Sequence, residues 1–284
     1  MGGPMPRIGI VLSGGLSRGA YEIGCVNAIA NYFGQENICC ISSSSVGVLC
    51  GCAYACGKMP ELADLWRRLN SVESGRSIIK LAKTPSLILK VRELASENGP
   101  LSCECYATIW NFSKRAVEYV PLDQIEPGLR ADYVQAAIAM PVVTRSVRIH
   151  GDICMDGGCI DNIPVFPLVE KDLDYIFCVY FEEQNYRFEC PSFDRKIIKL
   201  NHFPANGRLD AFIYDPTAVD NMIRYGYEYT SKCIDLIFSD DDREEIYRRI
   251  QNSEPFPAKR RLTADFVMNH ISKMMSHISK RKIL

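Results

Sequence analysis

Three short turns in the sequence contain the residue types that could carry chemistry. The first, residues 13–19, reads Ser-Gly-Gly-Leu-Ser-Arg-Gly and follows an apolar run. Glycines there let the backbone turn sharply, with N–H groups pointing outward at the positive end of a following helix. Such a turn can hold a phosphate or the oxyanion of an ester's tetrahedral intermediate. Because it matches neither G-x-G-x-x-G nor G-x-x-x-x-G-K-[ST], a packing turn without a ligand stays open.

The second turn, residues 42–47, reads Ser-Ser-Ser-Ser-Val-Gly. A nucleophile elbow, G-x-S-x-G, sets its serine on a strained corner between a strand and a helix, with small residues two before and two after it. Only Gly47 can supply the trailing glycine, so this register makes Ser45 the nucleophile and puts Ser43 in place of the leading glycine. A serine-rich helix cap is the alternative interpretation.

The third turn begins with Asp156-Gly157-Gly158, which sets a carboxylate where another backbone can approach closely. A serine nucleophile needs a base within hydrogen-bond reach. None of the four histidines lies in an obvious loop context for a catalytic triad; they are His150, His202, His270 and His277. Asp156 is therefore the more economical candidate for the base.

The elements around these turns are predicted to alternate between strands and helices. Strands are expected at 7–12 and 38–42, and helices at 17–33 and from 45 or 46 to about 69. Two strand–turn–helix units in under 70 residues are typical of an α/β domain with a parallel sheet.

Later segments give weaker patterns. Residues 74–130 are less regular, and the apolar, basic stretch 77–91 fits either a mobile cap or a packed helical pair. The sequence then predicts a helix at 134–139, a strand at 142–150 that ends in a hairpin turn at Gly151-Asp152, and a buried strand at 175–181. Amphipathic helices are predicted at 218–238 and 263–279.

Composition excludes several classes of protein. The net charge of −1 over 284 residues gives the chain no overall attraction to nucleic acid or membrane. The thirteen cysteines lack zinc-type C-x-x-C pairs, and we interpret them as reduced core residues of a cytoplasmic protein. No stretch approaches the roughly 18 apolar residues of a membrane-spanning helix, and the first residues do not read as a signal peptide.

Taken together, the three turns resemble the signatures of the patatin-like phospholipase family. These are a G-G-x-[RK]-G oxyanion loop, a G-x-S-x-G elbow and a D-G-[GA] turn, in this order. Here they occur at 14–19, at Ser45 and at Asp156, which follows Ser45 by 111 residues. The flanking runs 136–141 and 161–165 fit as well, and the resemblance is strong over residues 7–60 and 130–180.

The resemblance implies a three-layer α/β/α fold with a mainly parallel central sheet, and a serine acyl hydrolase that cleaves lipid esters as phospholipases A and lysophospholipases do. Asp156 would take the proton of Ser45, without a metal or cofactor. The backbone N–H groups of Gly14, Gly15 and Leu16 would bind the oxyanion. Leu16 stands where many members have a third glycine, and Ser43 where the elbow has its first.

The expected roles of the supporting residues also follow from the resemblance. Arg18 would either position the oxyanion loop and a substrate phosphate or serve as a structural partner. Gly47, Gly157 and Gly158 would support the elbow and the aspartate turn. We expect residues 1–200 to form the catalytic domain and residues 201–284 a helical extension packed on it.

The C-terminal stretch 258–284 is strongly basic and has one apolar helical face. It could contact an anionic membrane peripherally, or its apolar face could pack on the domain. Lipid or another acyl ester is the expected partner, nucleic acid is not, and the sequence leaves the oligomeric state open. Three other functions remain possible from the sequence: an esterase or thioesterase for soluble substrates, a phosphate- or nucleotide-binding module, and a catalytically silent member.

Overall fold

The architecture is that of an α/β protein, described by a computed structural model for residues 5–69, 77, 80, 82–96, 99–182, 184–203, 216–239, 242–253 and 259–261. The strands are β1 (Ile8–Leu12), β2 (Ile38–Ser44), β3 (Glu104–Asn111), β4 (Ala116–Pro121), β5 (Val147–Ile149), β6 (Asp152–Asp156), β7 (Tyr175–Val179), β8 (Tyr186–Arg187), β9 (Ile197–Leu200) and β10 (Lys259–Arg260). The helices are α1 (Gly19–Phe33), α2 (Val46–Ala55), α3 (Met59–Arg68), α4 (Pro85–Ala95), α5 (Pro127–Ala137), α6 (Pro191–Asp194), α7 (Pro216–Ile237) and α8 (Arg243–Asn252).

The central sheet has the strand order β5-β6-β3-β2-β1-β7-β9, with β4 on the free side of β3. Strands β3, β2, β1, β7 and β9 are parallel, whereas β4, β5 and β6 run antiparallel to their partners. Strands β1 and β7 are buried and almost wholly apolar, as expected for parallel strands covered on both faces. The separate pair β8 and β10 is parallel.

Two apolar cores lie on the two faces of this sheet. The larger core lies on one face of the sheet and contains residues of all the helices named above except α6. The smaller core lies under the segment 163–173 and the short helix α6, where Val11, Cys40 and Cys178 project from the strands. The predicted α/β fold, with a mainly parallel central sheet flanked by helices, is confirmed.

Strand β3 brings together two parts of the chain that are far apart in sequence. Its first half pairs with β2, which ends with Ser44 opposite Thr108. The next residue of β3, Ile109, lies opposite Asp156, the last residue of the antiparallel strand β6. Strand β4 pairs with the same part of β3 along its opposite edge. Strands β2 and β6 therefore lie along one edge of β3, and their C-terminal ends face each other. The residues that end them therefore converge.

The structure corrects several element boundaries. The helix predicted from residue 45 or 46 to 69 is divided into α2 and α3 at Gly57, which has a φ of +69°. The strand predicted at 142–150 is only three residues long, because residues 140–144 form a turn stabilised by bonds to the Met140 carbonyl. The less regular stretch contains β3 and β4, which the sequence did not predict.

The C-terminal part of the chain is described in part. Helix α7 packs along α1 so closely that a Cβ added to Gly24 would lie 2.0 Å from the Ile223 carbonyl oxygen. The helix predicted at 263–279 lies outside the described residues, and the domain division at residue 200 stays a prediction. Within the described residues, no helix combines the length and the apolar character that a membrane crossing requires.

Candidate active site

Ser45 sits on the corner between β2 and α2. Its φ is 51° and its ψ is −130°, a conformation that L-residues rarely adopt. A Cβ added to Gly47 would lie 2.8 Å from the Leu12 carbonyl oxygen, so the trailing glycine is a steric requirement of this corner. The strained serine and the obligatory glycine two residues later are the features of a nucleophile elbow.

The elbow accommodates a serine at its leading position. Ser43 is fully buried, and its hydroxyl donates a hydrogen bond to the Tyr106 carbonyl at 3.1 Å. Gly51, one turn into α2, leaves the space for this side chain, because a Cβ there would lie 3.1 Å from the Ser43 Oγ. Ser43 therefore satisfies its own hydroxyl and does not crowd the corner.

The side chains of Ser45 and Asp156 are in direct contact. Ser45 Oγ donates to Asp156 Oδ2 at 2.6 Å, and the Gly158 amide donates to Asp156 Oδ1 at 2.7 Å. Asp156 is 4% exposed. Burial raises the pKa of the Asp156 carboxyl to about 6, although the hydrogen bonds from Ser45 and Gly158 lower it. A carboxylate with this pKa is a better proton acceptor near neutral pH than a free aspartate.

Both glycines after Asp156 are required by close contacts. A Cβ added to Gly157 would lie 2.8 Å from the backbone of Thr108, against which the turn packs. At Gly158 it would lie 2.9 Å from the Ser44 Oγ and 3.0 Å from Asp156 Oδ1. The two glycines thus allow the turn to approach β2 and β3 closely enough for Asp156 to reach Ser45.

The glycine-rich loop lies against Ser45. A Cβ added to Gly14 would lie 2.7 Å from the Ser45 Cβ. The Gly14 amide donates to Asn162 Oδ1 at 2.9 Å and is therefore already engaged, unlike the sequence-based expectation that it binds an oxyanion. The amides of Gly15 and Leu16 donate no hydrogen bond within the part of the chain that the structure describes. Leu16 has a φ of +53°, the left-handed region that favours glycine.

Asn162 is the residue of the site that the sequence did not single out. Its Nδ2 donates to the Gly14 carbonyl at 3.1 Å while its Oδ1 accepts from the Gly14 amide. The signal was present in the run 161–165, which resembles the family's flank of the aspartate turn. A polar residue six positions after Asp156 gave no indication of its partner, because Gly14 is 148 residues away.

The turn that carries Asn162 is fixed by a residue from the C-terminal part of the chain. Arg261 donates to Asp161 Oδ1 at 2.6 Å and to the Ile163 carbonyl at 2.8 Å, on either side of Asn162. Tyr119 donates to the other oxygen of the Asp161 carboxylate at 2.6 Å. Asp161 is buried, so these charge-assisted bonds hold the turn in place.

Arg18 contacts aromatic rings. Its guanidinium carbon lies 5.6 Å from the centroid of the Phe181 ring and 5.1 Å from that of Phe203. Phe181 also lies beside Gly15, where an added Cβ would come within 2.3 Å of the ring. These cation–π contacts favour the structural interpretation of Arg18, which would hold the loop and the start of α1 against the aromatic pair.

An apolar cleft opens beside Ser45. Its enclosed part has a volume of about 60 Å³, and its mouth is open to solvent. Its walls are almost wholly apolar and are formed by Leu16, Val46, Leu49, Leu65, Trp66, Leu69, Ala82, Leu87, Ile138 and Met140. The cleft is therefore suited to hydrocarbon rather than to a polar ligand.

A family model for patatin-like phospholipases matches residues 10–169, more than half of the chain. The chain belongs to the patatin-like phospholipase family. The match includes the glycine-rich loop, the Ser45 elbow and the Asp156 turn. Membership supports a lipid hydrolase at the level of the family.

Two curated relatives share low sequence identity with this chain. An uncharacterized NTE family protein of Mycobacterium tuberculosis is 25% identical over 190 residues, which cover 63% of this chain and 50% of that protein. The lysophospholipase NTE1 of Kluyveromyces lactis is 23% identical over 195 residues, covering 61% of this chain and 12% of that protein. The chain thus spans about half the length of the mycobacterial relative and a small part of the yeast one.

Two solved structures of bacterial proteins also resemble the chain. VipD from Legionella pneumophila aligns with 98% of this chain and 76% of its own, at 14% identity and a TM-score of 0.48. ExoU from Pseudomonas aeruginosa, in complex with SpcU, aligns with 88% of this chain and 58% of its own, at 13% identity and a TM-score of 0.44. Identities and scores this low transfer no function.

Proposed function

We propose that this protein is a serine acyl hydrolase of the phospholipase A or lysophospholipase type, acting through a Ser45–Asp156 dyad. The observation that carries the proposal is the 2.6 Å hydrogen bond from Ser45 Oγ to Asp156 Oδ2, made by a serine on a strained elbow. A nucleophile held against a buried base is the arrangement that covalent ester hydrolysis requires.

In the proposed reaction, Asp156 accepts the hydroxyl proton as Ser45 Oγ attacks the ester carbonyl. The oxyanion that forms is bound by the amides of Gly15 and Leu16, and each such donor contributes about 3 kcal/mol to stabilising the transition state. Asp156 then protonates the leaving alkoxide. A water molecule deprotonated by the same carboxylate releases the acyl group from Ser45 and restores the hydroxyl. No step assigns a role to a metal or cofactor.

The apolar cleft supports lipid esters as the substrates. It borders Ser45 directly, so an acyl chain lying in it would set its carbonyl carbon near the nucleophile. Burial of hydrocarbon there would contribute about 0.8 kcal/mol for each methylene. An esterase for small polar substrates would gain little from these apolar walls. The name of the yeast relative, a lysophospholipase, agrees with this substrate class.

The hydrogen bonds of Gly14 weigh against a phosphate-binding module. A phosphate cradle needs several convergent backbone amides, and Asn162 already occupies the amide of Gly14. Two remaining amides suit the single oxygen of an oxyanion better than a phosphate. The expected cytoplasmic location and the peripheral membrane contact of residues 258–284 remain predictions.

Labelling with a fluorophosphonate probe tests the dyad. The wild type should react at Ser45, Ser45→Ala should not react, and Asp156→Asn should react at least a hundredfold more slowly. Ser42→Ala is the matched control, because Ser42 is buried in β2, the strand that ends just before Ser45, and its hydroxyl has no partner among the described residues. A folded wild type that took up no probe, with or without lipid vesicles, would contradict the proposal.

A further inference from the structure

An exposed apolar residue closely follows, in sequence, one of the residues that line the apolar cleft. Val142 has a relative exposure of 105% and lies two residues after Met140, which lines the cleft. The Met140 carbonyl accepts the amides of Val143 at 3.2 Å and Thr144 at 3.0 Å, and these bonds form the turn that holds Val142 outward. A single exposed apolar residue is ordinary on a protein surface. Val142 is unusual because of its backbone conformation.

Val142 has a φ of +67°. A β-branched residue in the left-handed region is a genuine outlier, since its branched Cβ crowds the backbone. Backbone strain of this kind clusters at active sites, ligand clamps and switch regions. Val142 is fully exposed, so packing within the described part of the chain does not account for this conformation.

Three exposed cations lie in the two segments that contribute Ala82 and Met140 to the cleft. Lys80 and Lys83 are exposed and stand on either side of the cleft-lining Ala82, and Arg145 is exposed three residues after Val142. None of the three forms an ion pair with another described residue. Lys90 and Lys114, by contrast, are each paired with a glutamate. The two segments that border the cleft therefore carry unneutralised positive charge beside an apolar tip.

We propose that Lys80, Lys83, Val142 and Arg145, here called the cleft rim, dock on an anionic lipid bilayer and present the cleft to its acyl chains. The inference rests on the proposed function, since it supplies the route by which a lipid reaches Ser45. Cations meet the lipid phosphates and carboxylates while the valine enters the headgroup layer, as on other interfacial surfaces. The rim lies in the two segments that contribute Ala82 and Met140 to the apolar cleft, which favours a membrane over a soluble acidic partner.

Vesicle sedimentation tests the rim with the full chain in the Ser45→Ala background, which leaves the lipid intact. One set of vesicles contains phosphatidylcholine alone, and the other contains phosphatidylcholine with about 30 mol% phosphatidylserine. Binding should be tighter to the anionic vesicles and should weaken as salt is raised. Each of Lys80→Glu, Lys83→Glu and Arg145→Glu should weaken binding roughly fivefold or more. Val142→Asp should weaken it on both kinds of vesicle.

A pair of substitutions on α7 serves as the matched control. Lys232→Glu with Leu236→Asp changes an exposed lysine and an exposed leucine away from the cleft, and it should leave binding within twofold. Rim variants that are folded by circular dichroism and bind as the wild type does would overturn the inference. An equal loss in the control would also overturn it, because general charge or the basic stretch 258–284 would then account for binding.

A soluble ester separates this inference from the proposed function. Hydrolysis of a short-chain p-nitrophenyl ester by the wild type depends on the dyad and needs no membrane. A wild type that binds anionic vesicles through the rim but never hydrolyses this ester, nor takes up the probe, would retain the docking surface and lose the proposed chemistry. A wild type that hydrolyses the ester but shows no preference for anionic vesicles would keep the proposed chemistry and contradict the docking surface.

Discussion

Asn162 holds the peptide group of Gly14 on both sides: its Oδ1 accepts the Gly14 amide at 2.9 Å, and its Nδ2 donates to the Gly14 carbonyl at 3.1 Å. This pair of bonds connects the turn that follows the base to the loop that would bind the oxyanion. The position of the amides after Gly14 therefore depends on the position of Asp156, although the two segments lie at opposite ends of the family match.

We expect Asn162→Ala to lower kcat on a soluble ester about 10- to 100-fold with a smaller change in KM. The physical reason is that misplacement of the loop weakens bonds made in the transition state, and loss of one oxyanion donor costs 10²–10³-fold in kcat. Asn201→Ala is a matched control, since Asn201 donates to Tyr180 Oη instead. A loss of less than twofold in Asn162→Ala would show that the loop holds its position without this side chain.

The pH dependence of kcat/KM should report the base. Burial raises the pKa of Asp156 to about 6, and only the ionised carboxylate accepts the Ser45 proton. The rate should therefore rise with pH, reach half its maximum near pH 6 and level off above it, with a tenfold loss for each unit below the inflection. Rates with a p-nitrophenyl ester in buffers of constant ionic strength measure this. An inflection near 4 would mean that the carboxylate is solvated in the working enzyme.

Asp156 should also make the protein less stable at neutral pH. Its folded pKa of about 6 exceeds the value of 3.8 for a free aspartate, so the folded state binds the proton more tightly. The contribution of Asp156 to the free energy of unfolding is fully present below pH 3.8 and is lost as the pH rises through 6. The total loss is up to about 3 kcal/mol. Asp156→Asn should accordingly be more stable than the wild type at pH 7.5 and similar to it near pH 4.

Urea unfolding at these two pH values checks this prediction. Asp172→Asn is the control, because the Asp172 side chain is almost fully exposed. A stability difference between Asp156→Asn and the wild type that does not change with pH would contradict the assignment of a buried, proton-binding carboxyl.

Leu16 provides a test of backbone strain in the glycine-rich loop. Glycine usually destabilises a protein by about 0.4–1 kcal/mol relative to alanine, but alanine is disfavoured at positive φ. Because Leu16 has a φ of +53°, Leu16→Gly should be more stable than Leu16→Ala, the reverse of the usual order. Both variants remove the same cleft wall and should therefore accept bulkier acyl chains to a similar degree. Urea unfolding of the two variants decides the order.

The local sequence predicted the three turns because their chemistry is local. A serine on a strand-to-helix corner needs Gly47 within two residues, and an aspartate on a tight turn needs Gly157 and Gly158 next to it. The alternation of apolar runs and helical patterns similarly indicated β1, α1, β2 and the start of α2. Strand β3 was missed, because Glu104, Tyr106 and Thr108 are partly polar and their pairing is decided by neighbouring strands.

The sequence by itself determined the fold class, the family and the residue types of the site, since each depends on spacings within a few residues or on an ordered set of such spacings. Only the tertiary structure decided that Gly14 bonds Asn162, that Arg18 faces Phe181 and Phe203, and that an apolar cleft borders Ser45. These relationships join segments as much as 148 residues apart. They depend on β2 and β6 meeting end to end on one edge of β3, and no local pattern encodes that register.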